Sequence, residues 1–155
     1  MVRAAFDLSE RVQLPVLVRI TTRMAHSRSV VDVLGMEELK PLNEIKFPED
    51  RSRWILLPVN SRRRYGEVLA AQTELERLSV ESTFNKYISG GRKGVIACGI
   101  GYNYLMESVG RCGEPPTILK ISQYPVPVDL VRKMREECDD ILVLEDGQPF
   151  VEEQL

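Results

Sequence analysis

Between residues 94 and 155, three short apolar runs alternate with two amphipathic stretches, and no other feature of the chain constrains its fold as strongly. Gly94-Val95-Ile96-Ala97-Cys98-Gly99, Thr117-Ile118-Leu119-Lys120-Ile121 and Ile141-Leu142-Val143-Leu144-Glu145 have the length and branched apolar content of buried strands. Tyr102 to Val109 and Pro127 to Cys138 read as helices between them. The second helix is well signed, with Pro127 in a first-turn position and Asp129 close behind it, where a carboxylate complements the helix dipole. Such alternation implies parallel strands joined by right-handed crossovers, and hence an α/β fold.

The N-terminal third repeats this logic incompletely. Val2, Ala5, Phe6 and Val12 fall at helical spacing among Arg3, Asp7, Glu10 and Arg11, but no Ser, Thr, Asp or Asn precedes Val2 as an N-cap. The chain is therefore expected to begin inside a helix, and to end inside another that starts near Val151 and is cut short at Leu155. Leu14-Pro15-Val16-Leu17-Val18-Arg19-Ile20 follows the first helix and reads as a buried strand of a parallel sheet. It breaks into the densest polar cluster of the chain, Thr21 to Arg28, which holds the only histidine and two adjacent threonines. Ligands bind beyond the carboxyl ends of parallel strands, so this loop is the expected place for a site. Ser29 and Asp32 then resemble a capping box, leaving Val30, Val31 and Val33 as either a short helix or an extended piece.

From Gly35 to Arg53 the sequence turns polar, with Pro41, Asn43 and Pro48, and reads as a surface linker. Trp54-Ile55-Leu56-Leu57, ended by Pro58, is expected to dock it. Ser61 is a plausible N-cap for a helix to about Thr83 lined by Tyr65, Val68, Leu69, Leu75 and Leu78. The triplet Arg62-Arg63-Arg64 opposes the macrodipole there; it either faces an anion or acidic partner or is a solvated basic turn. Phe84 to Lys93, containing Gly90-Gly91, is expected to be a flexible joint and a domain boundary. The resulting division is 1–34, 35–93 and 94–155.

Composition narrows the function. The chain has 155 residues, 43% of them hydrophobic, enough for a core. Its net charge of -2 is spread without long single-sign blocks, which gives no reason to expect nucleic acid or an anionic membrane. No apolar stretch is long enough to span a bilayer and no signal-peptide core is present, so the expected compartment is the cytoplasm. Cys98, Cys112 and Cys138 are odd in number and far apart, as in a reduced protein, and with one histidine they make a poor metal-ligand supply.

Three constellations invite a chemical reading. Gly99-Ile100-Gly101 follows a strand and opens a helix, but Tyr104 stands where a dinucleotide fingerprint needs its third glycine, and Lys120 ends the second strand where an acid would hold a ribose; a tight structural turn is the better reading. Glu145-Asp146 at the third strand's end is either a carboxylate pair for acid–base work or metal, or a set of solvated or helix-orienting carboxylates. His26, flanked by Thr22, Arg23, Ser27 and Arg28, could orient a carboxylate or phosphate. The competing reading is that Thr, His and Ser satisfy backbone groups at the strand end. No nearby acid completes a triad.

Taken in order, Leu8-Ser9-Glu10, Leu14-Pro15-Val16-Leu17, Thr21-Thr22-Arg23 and His26-Ser27-Arg28 resemble the alpha subunits of indolepyruvate-type members of the 2-oxoacid:ferredoxin oxidoreductase family. The later segments agree: Gly94-Val95-Ile96-Ala97 with Gly99-Ile100-Gly101-Tyr102, Ile118-Leu119-Lys120-Ile121 with Tyr124-Pro125-Val126-Pro127, and Leu142-Val143-Leu144-Glu145 with Pro149-Phe150-Val151-Glu152-Glu153. The resemblance covers nearly the whole chain except about Gly35 to Arg53.

The resemblance implies a remnant of a pyrimidine-binding thiamine domain at 1–34, a linker with a docking segment and helix at 35–93, and a three-layer α/β/α domain like the transketolase C-terminal domain at 94–155. It implies a parent enzyme that oxidatively decarboxylates aryl pyruvates with coenzyme A and ferredoxin, using thiamine diphosphate, magnesium and iron–sulfur clusters, in complex with a beta subunit. The motifs for those cofactors are expected outside this stretch, so none is expected to bind it and the chain alone is expected to be inactive. Thr22, Arg23 and His26 are the candidates for residues near substrate or cofactor, with Ser27 and Arg28 behind them. Alternatives are a transketolase-type or oxoacid-dehydrogenase component, which should lack the Thr-Thr-Arg and His-Ser-Arg series, and a non-catalytic interaction domain.

Overall fold

The structure, a computed structural model, describes residues 1–33, 49–111 and 113–155. Most of the expected linker, and Cys112, lie outside the described residues. The chain divides into two compact units, Met1–Arg53 and Trp54–Leu155.

In the first unit, α1 (Val2–Val12) starts at Met1 with no side-chain cap and ends at Gln13 in the left-handed region, φ 54°. Its half-buried stripe is Ala4, Ala5, Leu8, Ser9 and Val12. Phe6, expected on the apolar face, is 73% exposed. The expected strand at 14–20 does not form. The segment is extended, with half-burial alternating at Leu14, Val16 and Val18 as a pleated chain dictates, but it joins no ladder among the described residues. An apolar run of the right composition is a strand only when a neighbour takes its backbone groups. It leads into α2 (Thr22–His26), after which residues 27–33 are irregular; the choice left open for Val30, Val31 and Val33 falls against a helix.

The second unit is built on a four-stranded mixed sheet of β1 (Lys86–Ile88), β2 (Gly91–Cys98), β3 (Pro116–Ile121) and β4 (Asp140–Leu144), in the order β1-β3-β2-β4. Strands β2, β3 and β4 are parallel, and β1 runs antiparallel to β3. Helix α5 (Ile100–Val109) carries β2 out to β3, and α6 (Val128–Glu137) carries β3 back across β2 to β4. Two right-handed crossovers in opposite directions put their helices on opposite faces, and the side chains agree. Gly94, Ile96 and Cys98 point one way along β2, and a Cβ on Gly94 would lie 3.0 Å from Met134 Sδ on α6. Lys120, on the other face of β3, sets its ammonium 5.0 Å from the ring centroid of Tyr102 on α5.

The main core lies on the α6 face. Ile96, Leu119, Ile121 and Met134 are fully buried together with Val126, Val131, Cys138 and Val151. Each such aliphatic side chain contributes about 1.5–3 kcal/mol by leaving water. The other face is thinner, with Val95, Ala97 and Ile118 buried and Leu142 left 57% exposed.

Residues 54–93 differ from expectation in four ways. The helix begins at Pro58, preceded by the extended Leu57, because the residue before a proline avoids helical geometry. It is broken at Ala71 into α3 (Pro58–Ala70) and α4 (Gln72–Val80), where the Gln72 side-chain amide donates to the Val68 carbonyl at 3.1 Å. Trp54, Leu56 and Leu57, expected to dock, are 69%, 91% and 58% exposed. The stretch expected as a flexible joint is part of the sheet: Gly90 N donates to Thr117 Oγ1 at 2.9 Å, Thr117 Oγ1 donates to Gly91 O at 2.9 Å, and Gly91 N donates to Pro115 O at 2.8 Å. Gly90 permits this approach, since a Cβ there would sit 2.4 Å from Pro116 O. At the other end of the chain, the helix expected from Val151 is a 3-10 turn, Glu152–Gln154.

Candidate functional site

Thr22, Arg23 and His26 all lie on α2, with Thr22 and His26 on the same side four residues apart. The turn is made locally. Thr21 caps it, its Oγ1 accepting from Met24 N at 3.4 Å, and Ser27 Oγ closes it by donating to Met24 O at 2.8 Å. Thr21 and Ser27 thus serve the backbone, the structural role considered for this cluster. Thr22, Arg23 and His26 are exposed, as are Ser27 and Arg28. The geometry brings the three candidates to one turn and leaves their side chains facing outward.

In the second unit the carboxyl ends of the parallel strands collect a different set. Gly99, φ 54°, turns the chain from β2 into α5, and a Cβ on Gly101 would lie 3.1 Å from Leu144 O. These glycines fit a tight strand–helix turn packed against β4. Glu145 is a capping group: its carboxylate accepts from Val151 N at 2.7 Å and Glu152 N at 3.1 Å, fixing the 3-10 turn. That decides the Glu145-Asp146 reading toward a helix-orienting carboxylate for Glu145. Beside it, burial and then the Glu145 charge push the Cys98 thiol up to about 11, against a hydrogen bond with Tyr124 that works the other way. A thiol so held is protonated at neutral pH and is a poor nucleophile. The Tyr124 ring meets Phe150 edge-on at 5.5 Å.

The loop carrying Tyr124 is held by a polar lock that the sequence did not reveal. Asn85, 7% exposed, accepts at Oδ1 from Ser122 N (2.7 Å) and Gln123 N (2.9 Å), and its amide donates to Ser79 O (2.9 Å) and Gln123 O (3.0 Å). Ser79 Oγ, fully buried, donates to Pro125 O at 2.5 Å, and Ser82 Oγ donates to Gln123 Oε1 at 2.7 Å. The Tyr124–Pro125 peptide in this loop is cis. The lock left no local signal in the sequence, because the partners of Asn85 at Ser122 and Gln123 lie nearly forty positions away.

Among the described residues no three His, Cys, Asp or Glu side chains come together as a metal-holding group, and Cys98 and Cys138 are buried free thiols. The described residues therefore do not fit a magnesium or iron–sulfur centre. No helix among the described residues is long and apolar enough to cross a membrane.

A mixed four-stranded sheet with helices on both faces defines the second unit as a compact α/β domain. The chain is homologous to part of the indolepyruvate oxidoreductase subunits IorA. It is 34% identical over 155 residues to the subunit of Methanothermobacter thermautotrophicus, 34% identical over 164 residues to that of Thermococcus kodakarensis, and 30% identical over 152 residues to that of Archaeoglobus fulgidus. These alignments cover 97%, 100% and 97% of this chain, and 25%, 25% and 24% of the relatives. The chain thus spans about a quarter of the length of the curated relatives it matches. No family model matches it, and no solved structure does.

Proposed function

We propose that this stretch belongs to a cytoplasmic alpha subunit that, with a beta subunit, oxidatively decarboxylates aryl pyruvates such as indolepyruvate, yielding an acyl-CoA and reduced ferredoxin. The observation that carries this reading is the identity of 34% across 97% of the chain to a subunit named for indolepyruvate oxidoreduction. Thiamine diphosphate would supply the electron sink for decarboxylation; it, magnesium and the iron–sulfur clusters are assigned to parts of the subunit outside this stretch.

Within the stretch, the division proposed from the family is a remnant of the pyrimidine-binding domain at 1–34, a linker with a docking segment and helix at 35–93, and a transketolase C-terminal-like domain at 94–155, whose sheet also takes in Lys86–Ile88 and the start of β2 at Gly91. The layered sheet and its capped strand ends support a packing and subunit-contact role for the last. Thr22, Arg23 and His26 are proposed to stand near substrate or cofactor in the whole enzyme, supported by their exposure on one turn. The test is indolepyruvate-dependent, coenzyme A-dependent reduction of ferredoxin by the full-length subunit purified with its partner. Activity restricted to other oxoacids, or none in a cofactor-replete complex, would overturn the reading.

A further inference from the structure

Among the aspartates and asparagines of the chain, Asp146 alone is followed by glycine. The pair lies in the loop that leaves β4, and both residues are exposed. Gly147 holds φ 97°, and a Cβ on it would meet nothing within 4 Å. Its N–H donates no hydrogen bond among the described residues. The attacking nitrogen of a succinimide ring is thus unengaged, and no side chain on Gly147 obstructs its approach to Asp146 Cγ.

The other described aspartates and asparagines are closed to the same reaction. Asn60 precedes the small Ser61, but Ser61 N donates to Leu57 O at 2.9 Å in the first turn of α3. Asn85 is held by both ends of its amide. Asp7, Asn103 and Asp129 lie inside α1, α5 and α6, and Asp139 is paired with Arg92. Asp32, Asp50 and Asp140 are followed by the bulky Val33, Arg51 and Ile141.

We propose that Asp146-Gly147 is a site of covalent self-modification, where aspartate isomerises to isoaspartate through a cyclic imide. Gly147 N attacks Asp146 Cγ; the N–Cγ bond forms, the Cγ–OH bond breaks, and the amide proton leaves with that hydroxyl as water. Water then adds back to one imide carbonyl. Cleavage at Cγ restores aspartate, whereas cleavage at the Asp146 carbonyl carbon leaves the main chain running through Cγ and frees a carboxylate on Cα. No other reactant enters, and the composition of the chain is unchanged. The main chain gains one carbon between two anchors: β4, paired with β2, and the fully buried Val151, whose N donates to the Glu145 carboxylate at 2.7 Å. Isomerisation therefore loosens the Glu145 cap.

The experiment holds the full-length subunit at neutral pH and physiological temperature, folded in one sample and unfolded in guanidinium in another. Isoaspartate is located in digests by electron-transfer fragmentation and counted by enzymatic methylation of its free carboxyl. In the folded sample it should accumulate at residue 146 ahead of the other described Asp and Asn residues; the unfolded sample should also accumulate it at Asn60. Asp146→Glu, which must close the slower glutarimide ring, should reduce the signal there to background. In the isomerised fraction the amides of Val151 and Glu152 should exchange faster. Isoaspartate at 146 only in the unfolded sample, in neither sample, or later than at another described residue overturns the proposal. Unchanged amide exchange overturns the coupling to the cap.

Discussion

Asn85 and Gln123 are joined twice: Gln123 N donates to Asn85 Oδ1 at 2.9 Å, and Asn85 Nδ2 donates to Gln123 O at 3.0 Å. The pair ties the residue before β1 to the loop after β3, and the Asn85 bond to Ser79 O draws in the end of α4, so residues 72–93 fold with the sheet. Asn85→Ala would orphan the half-buried Ser122 and Gln123 N–H groups. It should cost about 2–3 kcal/mol in urea unfolding. Ser79→Ala should cost less than the sum of separate effects when combined with it, because both variants remove the Ser79–Asn85 bond. Strict additivity would show that the two residues do not act as one lock.

The parallel strands and their helices were legible because each run is long enough to show a period. The expected strand at 117–121 is observed as Pro116–Ile121, and the expected helix at 127–138 as Val128–Glu137. Strand β1 was not legible: its three residues, Lys86–Ile88, are too short for alternation to declare itself, and their strand character comes from pairing with β3. Leu14 to Ile20 failed the opposite way, with the composition of a strand and no partner among the described residues. At the candidate site the turn chemistry of Thr21 and Ser27 was readable from residue type. The Asn85 lock was not, because hydrogen bonds between distant segments leave no local pattern.

Two glycines should respond oppositely to alanine. Gly90 faces backbone, with a Cβ 2.4 Å from Pro116 O and 2.6 Å from Pro115 O, atoms that cannot move without breaking the turn into β2. Gly90→Ala should destabilise by about 2 kcal/mol or more, within the range of core overpacking. Gly66 lies inside α3 with open space around it, so Gly66→Ala should stabilise by about 0.5–1 kcal/mol through helix propensity. Thermal unfolding of both variants checks the sign; a stabilising Gly90→Ala would mean the β1–β2 turn is not held as described.

Cys98 gives the alkaline limb of stability a direction. Its thiol rises from 9.0 to about 11 in the folded chain, so above pH 9 the unfolded state gives up its proton while the folded state keeps it. Stability should therefore fall as pH climbs from 9 toward 11. Cys98→Ser, which does not ionise there, should flatten that part of the curve by one proton. Tyr87, raised by burial and by its hydrogen bond to Glu137, adds a decline of the same sign above pH 10. Denaturant midpoints measured across this range for wild type and Cys98→Ser should diverge steadily; parallel curves would contradict the placement of the thiol.

Glu145 links the capped turn to that thiol, so one substitution should move two observables. Glu145→Gln keeps the size of the side chain but removes the charge that the Val151 and Glu152 N–H groups meet. A charged acceptor holds such donors more strongly than a neutral one, so the amides of Val151 and Glu152 should exchange faster with solvent. The same change withdraws a negative charge from beside Cys98, whose thiol should then titrate below about 11. Amide exchange and the pH dependence of thiol alkylation read the two effects separately. Faster exchange with an unmoved thiol would leave the cap standing and remove Glu145 from the electrostatics of Cys98, whereas neither change would mean the carboxylate points elsewhere.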